Sequence, residues 1–168
     1  MKQLIMVATI CISLFACTSP ADKKEKENLA IAYKYLLAVE TKNVALMDSL
    51  LADNYIGYGP SVSDSTNKEE ALLSWEYNVE NLYESIEYTH HQELAVTVKE
   101  GRAKGDWVLN WAYLTIKYKV GNVPVHLWVN VVYRIENGKI VMSRTFYNEA
   151  DVLRQLRYSI EPPQEIIN

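Results

Sequence analysis

The sequence predicts one α+β domain, with helices first and an antiparallel meander of strands after them. Three observations lead there. Apolar residues recur at helical spacing between Asn28 and Ile86. β-Branched and aromatic residues alternate strongly through Trp107–Lys119 and Val123–Glu136. The dipeptides Gly121-Asn122 and Asn137-Gly138 then stand between strands, where two-residue hairpin turns need backbone with positive φ.

Taken in order, Leu29, Ala32, Tyr33, Leu36 and Leu37 mark a first helix from Asn28 to about Glu40. Asn43 caps a second, short helix carrying Val44, Met47, Leu50 and Leu51. Tyr55-Ile56-Gly57-Tyr58 reads as a strand entering a loop at Gly59-Pro60. Thr66/Glu69 and Asn67/Glu70 are overlapping capping boxes. They start a third helix with Leu72, Trp75, Val79, Leu82, Tyr83 and Ile86 on one stripe. Strands follow at Leu94–Lys99, Trp107–Lys119, Val123–Glu136 and Ile140–Tyr147. Asn148 caps a final helix with Val152, Leu153 and Leu156.

The chain has 168 residues, a length that suits a single domain. Its formal net charge of −4 and the lack of a Lys/Arg run give no electrostatic footprint for nucleic acid. Twelve Tyr and four Trp stand against two Phe. Tyr and Trp join an apolar body to a polar tip, so they suit cavity walls and interfaces as well as cores.

Residues 1–16 have the layout of an export signal: Lys2, an apolar run from Leu4 to Phe15, and small residues at its end. Leu14-Phe15-Ala16-Cys17 closes the run and resembles the bacterial lipobox. That resemblance implies cleavage before Cys17, acylation of Cys17, and a protein anchored in the cell envelope on the periplasmic or outer-membrane side. Residues 17–27 are polar and read as a tether, residues 28–158 as the domain, and 159–168, with Pro162-Pro163, as a loose tail.

The element order, the ending Glu136-Asn137-Gly138-Lys139-Ile140-Val141, and the sequel Arg144-Thr145-Phe146-Tyr147-Asn148 with Val152–Leu156 resemble the NTF2-like superfamily in its SnoaL-like and ketosteroid-isomerase-like branch. The resemblance spans roughly residues 28–157. It implies a strongly curved sheet wrapped around the helices, an internal cavity, and dimerisation through the sheet's outer face.

With two-residue hairpin loops, Tyr118 would face Val125, Asn110 would face Tyr133, and Val131 would face Arg144. One face of the sheet then becomes almost wholly apolar, apart from Asn110, Arg144 and the Tyr133 hydroxyl. Arg144 and Asn110 are the expected grip on a polar or anionic group, with the ligand's apolar part against Val129, Val131 and Phe146. The alternative is a structural ion pair of Arg144 with Asp48 or Asp53. Tyr55, Tyr58 and Trp75 are candidates for the cavity mouth. The opposite face, with Trp111 and Trp128, has the mixed aromatic and polar character of a homodimer interface.

Isomerases and cyclases of this superfold use a carboxylate base in the cavity. The expected apolar face has no Asp or Glu, and the position after the last strand is Asn148, which cannot act as a base. Asp151 is the weak remaining candidate, and helix capping explains it better. His90-His91 would point to opposite sides of a strand, so they cannot chelate one metal together. No metal or cofactor is expected. The preferred reading is a membrane-anchored protein that binds a small, partly apolar molecule without catalysis. The alternatives are a SnoaL-like enzyme or an envelope interaction module.

Overall fold

The computed structural model describes residues 19–159 and Glu161. The export signal, Cys17 and most of the expected loose tail lie outside the described residues. Helix α1 spans Pro20–Glu40 and α2 Val44–Leu50. Strand β1 (Leu51–Tyr58) and the short β2 (Ser65–Asn67) precede α3 (Lys68–Tyr77). Then come β3 (Tyr83–Val98), β4 (Gly105–Tyr118), β5 (Pro124–Glu136), β6 (Lys139–Tyr147) and α4 (Glu149–Gln155). The six strands form one curved, unclosed sheet in the order β2-β1-β6-β5-β4-β3. All neighbours are antiparallel except β1 and β6. Helix α1 lies against the inner face, and Ala38, Met47, Val108, Ala112, Val125 and Ile140 form the fully buried centre. No helix among the described residues is long and apolar enough to cross a membrane.

Helix α1 starts eight residues before the expected Asn28. Ser19 and Asp22 form a capping box, with Pro20 in the first turn. Lys24 then reaches Asp106 at the start of β4, 2.6 Å away, and ties the polar end of the helix to the sheet. The segment expected as a free tether is therefore helical from Pro20 onward.

Helix α3 ends early. One π-helical turn, Asn78–Leu82, leads into β3, which begins eleven residues before the expected strand. The cause is a β-bulge. Tyr83 pairs with Tyr118, Ser85 with Lys117 and Ile86 with Ile116. The extra residue places Tyr83 and Ile86 on one face at a spacing of three, which imitates a helical stripe. A second bulge between Thr89 and Gln92 places His90, at φ 51°, near the outer-face Tyr113 and His91 near Tyr33 of α1.

The two hairpins behave differently. Gly121 and Asn122 do have positive φ, but Tyr118 donates its backbone N–H to the Val123 carbonyl, so the loop holds four residues. Ala112 then pairs with Val129 and Asn110 with Val131, two residues from the expected register. A slip of two preserves the faces. At the next hairpin Asn137 and Gly138 adopt φ of 50° and 75°, and Ile135 pairs with Ile140 as expected. Val141 is then bulged out. Arg134 pairs with Met142, Tyr133 with Ser143, Val131 with Thr145 and Val129 with Tyr147. A slip of one inverts every later side chain of β6. Ser143, Thr145 and Tyr147 turn inward, while Arg144 and Phe146 are exposed on the outer face.

Deleting Val141 alone should remove the bulge and keep the later pairings, with Ser143 opposite Tyr133 and Arg144 outside. Deleting both Val141 and Met142 should shift the strand by one and drive Arg144 and Phe146 into the interior. Burying an unpaired guanidinium costs at least about 3 kcal/mol. Urea unfolding should show a loss of that size in the double deletion relative to the single one, and equal stabilities would mean that the register of β6 does not set the face.

Candidate functional site: a tyrosine-lined cavity

The concave side of the sheet and the helices enclose a cavity of about 650 Å³. Strands β4 and β5 supply Leu114, Ile116, Leu127, Val129 and Val131 as an apolar floor. Tyrosines from almost every element surround it: Tyr35 from α1, Tyr55 and Tyr58 from β1, Tyr83 and Tyr88 from β3, Tyr118 from β4, Tyr133 from β5 and Tyr147 from β6. Eight of the twelve tyrosines in the chain thus border one space. Trp75 of α3 completes the aromatic wall, inclined at 60° to Tyr83.

The polar groups at the bottom satisfy one another. The Tyr55 hydroxyl and Ser143 Oγ share a buried 2.7 Å hydrogen bond. Their strands run parallel with Gly57 opposite Ser143. A Cβ on Gly57 would stand 2.7 Å from the Tyr55 hydroxyl, so only glycine leaves that ring its place. Burial raises the phenol pKa of Tyr55, Tyr83, Tyr118 and Tyr147, and raises that of Tyr35, Tyr88 and Tyr133 as well. At neutral pH these phenols are uncharged.

Among the described residues lining the cavity there is no Lys, Arg or His. The two carboxylates of the lining, Asp64 and Glu149, stand on its exposed rim. Tyr147 lines the same cavity. Its phenol is raised first by burial, then by Glu149, Tyr118 and Asp64.

The expected ligand residues divide accordingly. Tyr55, Tyr58, Trp75 and Tyr133 do border the cavity. Asn110 is on the inner face and only 2% exposed, but it lies outside the cavity lining and donates to the Glu93 carboxylate at 3.3 Å. Arg144 and Phe146 are on the wrong side of the sheet for the expected grip. The Arg144 guanidinium lies 4.6 Å over the Tyr58 ring, and Asp48 and Asp53 pair with Lys68 instead. Asp151 is also outside the lining. Its carboxylate accepts from Gln155, which in turn ties α4 to the backbone of His126 on β5. Tyr35, Tyr83, Tyr88, Ser143, Tyr147 and Glu149 went unidentified as site residues in the sequence. The high tyrosine count was the one signal pointing to them.

No protein-family model matches the chain, and no curated protein matches it. Solved structures do. An NTF2-like protein from Burkholderia pseudomallei K96243 superposes with a TM-score of 0.62 at 12% identity, covering 79% of this chain and 98% of that one. A protein with a ketosteroid-isomerase-like fold from Catenulispora acidiphila DSM 44928, in complex with trimethylamine, gives 0.61 at 16% identity, with 79% and 97% covered. An LEH-like epoxide hydrolase from M. tuberculosis gives 0.58 at 15% identity, with 80% and 92% covered. The chain has the NTF2-like fold, as its element order and hairpin ending imply. Proteins of such different description share that fold, so the chemistry must be argued from the cavity.

Two outcomes follow from the cavity's polar groups. Tyr55→Phe or Ser143→Ala each leaves a buried hydroxyl without its partner and should cost about 1–3 kcal/mol. The double variant should cost less than the two added, as urea unfolding of all four proteins will show. The raised phenols also set the alkaline limit. Their stabilisation is present in full below the free phenol's pKa of 10.0. It is lost as pH rises from there through the folded values, because the unfolded chain ionises first. Thermal unfolding should give a flat Tm up to about pH 9.5 and a falling one above pH 10.

Proposed function

We propose that this chain is a lipid-anchored envelope protein that holds a small, mainly apolar, non-anionic molecule in its tyrosine-lined cavity without transforming it. The observation that carries this reading is the composition of the lining: an apolar floor, eight tyrosines, and no cationic side chain among the described residues. An anion entering such a space loses its hydration and finds no charge partner. An apolar body with a hydroxyl, carbonyl or amine finds both surface to bury and phenols to bond. Trimethylamine, bound to the structural neighbour from Catenulispora acidiphila, is a guest of this general kind.

Among the described residues the same lining offers no shielded base. A base for proton transfer must stand beside the substrate, shielded from water. Asp64 and Glu149 stand at the exposed rim, and the buried Tyr55 and Ser143 hydroxyls are bonded to each other.

Anchoring rests on the Leu14–Cys17 pattern. Residue 17 is two residues from Ser19, so an acylated Cys17 would lie within about 7 Å of the start of α1. The anchor and the cavity then occupy opposite ends of the domain. Lys24 meets Asp106 near the start of α1, whereas Tyr35 and Val39 near its end border the cavity.

The outer face is the reading's second surface. Leu94, Val96, Trp111, Trp128 and Phe146 are exposed there on neighbouring strands, Trp128 by 65%. An aromatic patch of this extent on a monomer would be costly, and a second copy of the chain is its proposed cover.

Protein purified from its host under mild conditions should show, by native mass spectrometry, a small-molecule adduct that disappears on denaturation. A mass corresponding to apoprotein alone, with no uptake of hydrophobic probe dyes, would overturn the binding reading. Sedimentation should find a dimer for the soluble Cys17→Ser protein and a monomer for its Trp128→Glu variant.

A further inference from the structure

We infer that the mouth of the cavity is a site for an alkylammonium cation, a tertiary or quaternary amine head whose substituents are apolar. This rests on the binding reading above and adds the charge of the guest to it.

The geometry comes from four aromatic rings and two carboxylates at one end of the cavity. Trp75 and Tyr83 have ring centroids 6.3 Å apart with planes inclined at 60°. Tyr83 and Tyr118 are 5.4 Å apart at 73°. Rings inclined in this way form adjoining panels of a box. Tyr147 lines the same cavity, and its hydroxyl and those of Tyr83 and Tyr118 disfavour ionisation among them. All four line the cavity. Because burial keeps the phenols protonated, the rings present neutral, electron-rich faces.

The carboxylates of the lining stand at this end, whereas the Lys119 ammonium next to Tyr118 is turned to the Val79 and Glu80 carbonyls. Asp64 and Glu149 border the same mouth and both act on the Tyr147 hydroxyl. The Arg144 guanidinium lies over the Tyr58 ring, on the sheet's outer face, where it occupies that ring itself. Tyr58 is therefore left out of the cage. A cation is attracted by aromatic faces and by the rim carboxylates together, and methyl groups on nitrogen make its desolvation cheap. A primary ammonium is more strongly hydrated and finds too few acceptors here. A neutral guest gains only from burial, and an anion meets two carboxylates on entry.

Three probes of nearly equal shape separate these cases: choline, its uncharged carbon isostere 3,3-dimethylbutan-1-ol, and the anion 3,3-dimethylbutyrate. Titration calorimetry of the soluble Cys17→Ser protein should rank choline first, on the order of tenfold tighter than the alcohol, with the butyrate weakest. Glu149→Gln should weaken choline several-fold and leave the alcohol unchanged. Trp75→Phe should retain choline binding, and Trp75→Leu should lose it. Circular dichroism checks that each variant is folded.

An alcohol that binds as tightly as choline, or a Glu149→Gln protein with unaltered choline affinity, overturns the cation assignment. In that case the alcohol's own binding leaves the cavity reading standing. If none of the three probes binds and no adduct is found in native mass spectra, both fall together.

Discussion

One extra residue in one strand, Val141, decides what kind of cavity this molecule has. Before the bulge, Ile140 of β6 faces inward in the register that the Asn137-Gly138 turn dictates. After it, the inward set is Ser143, Thr145 and Tyr147 rather than Met142, Arg144 and Phe146. The energetic choice is one-sided. An inward Arg144 would be a guanidinium against an apolar floor, with Asp48 and Asp53 already engaged by Lys68. Outward, it keeps its water and rests on the Tyr58 face. Inward, Ser143 meets the Tyr55 hydroxyl and Tyr147 joins the aromatic wall.

The same slip sets the electrostatics of the interior. With Arg144 outside, the described lining has no positive side chain, and its carboxylates stay at the rim where water reaches them. Tyr35, Tyr133 and Tyr147 can then be buried as neutral phenols, each raised by its own desolvation and by its neighbours. A cationic side chain at the floor would have lowered these phenols and drawn anions inward. The charge of the cavity lining therefore depends on which face of β6 is presented as much as on its composition.

This explains how much could be read from the sequence. Capping boxes and turn dipeptides are local, so Asn43, Asn67, Asn137-Gly138 and Asn148 were legible one residue at a time. The fold followed from their order. Bulges are not local in this sense. An extra residue is favourable or not depending on what the two alternative faces would touch across the sheet. Thus the spacing of Tyr83 and Ile86 looked helical, and Arg144 looked buried, though each stretch was read by a sound periodicity rule. Of the expected ligand contacts, Tyr55, Tyr58, Trp75 and Tyr133 lie at the cavity because they precede the Val141 bulge. Arg144 and Phe146 lie beyond it and went to the other side. Asn110 fell between the two cases. A register slip of two kept it inside, and Glu93 satisfied it away from the cavity.

The docking of α1 gives the cavity a direction. Twenty-one residues of helix, about 30 Å at 1.5 Å per residue, separate Pro20 from Glu40. Strand β4 runs the same axis from Asp106, paired with Lys24, to Tyr118 in the aromatic cage. A flexible tether would have let the domain present any side to a membrane. A capped helix fastened by Lys24 does not. Under the proposed anchoring at Cys17, the mouth formed by Asp64, Tyr118, Tyr147 and Glu149 would point away from the bilayer. A guest would then arrive from the aqueous side, which favours a water-soluble molecule over an extracted lipid. An alkylammonium head fits that route: it is soluble before entry, and its methyl groups are what the tyrosine faces can bury.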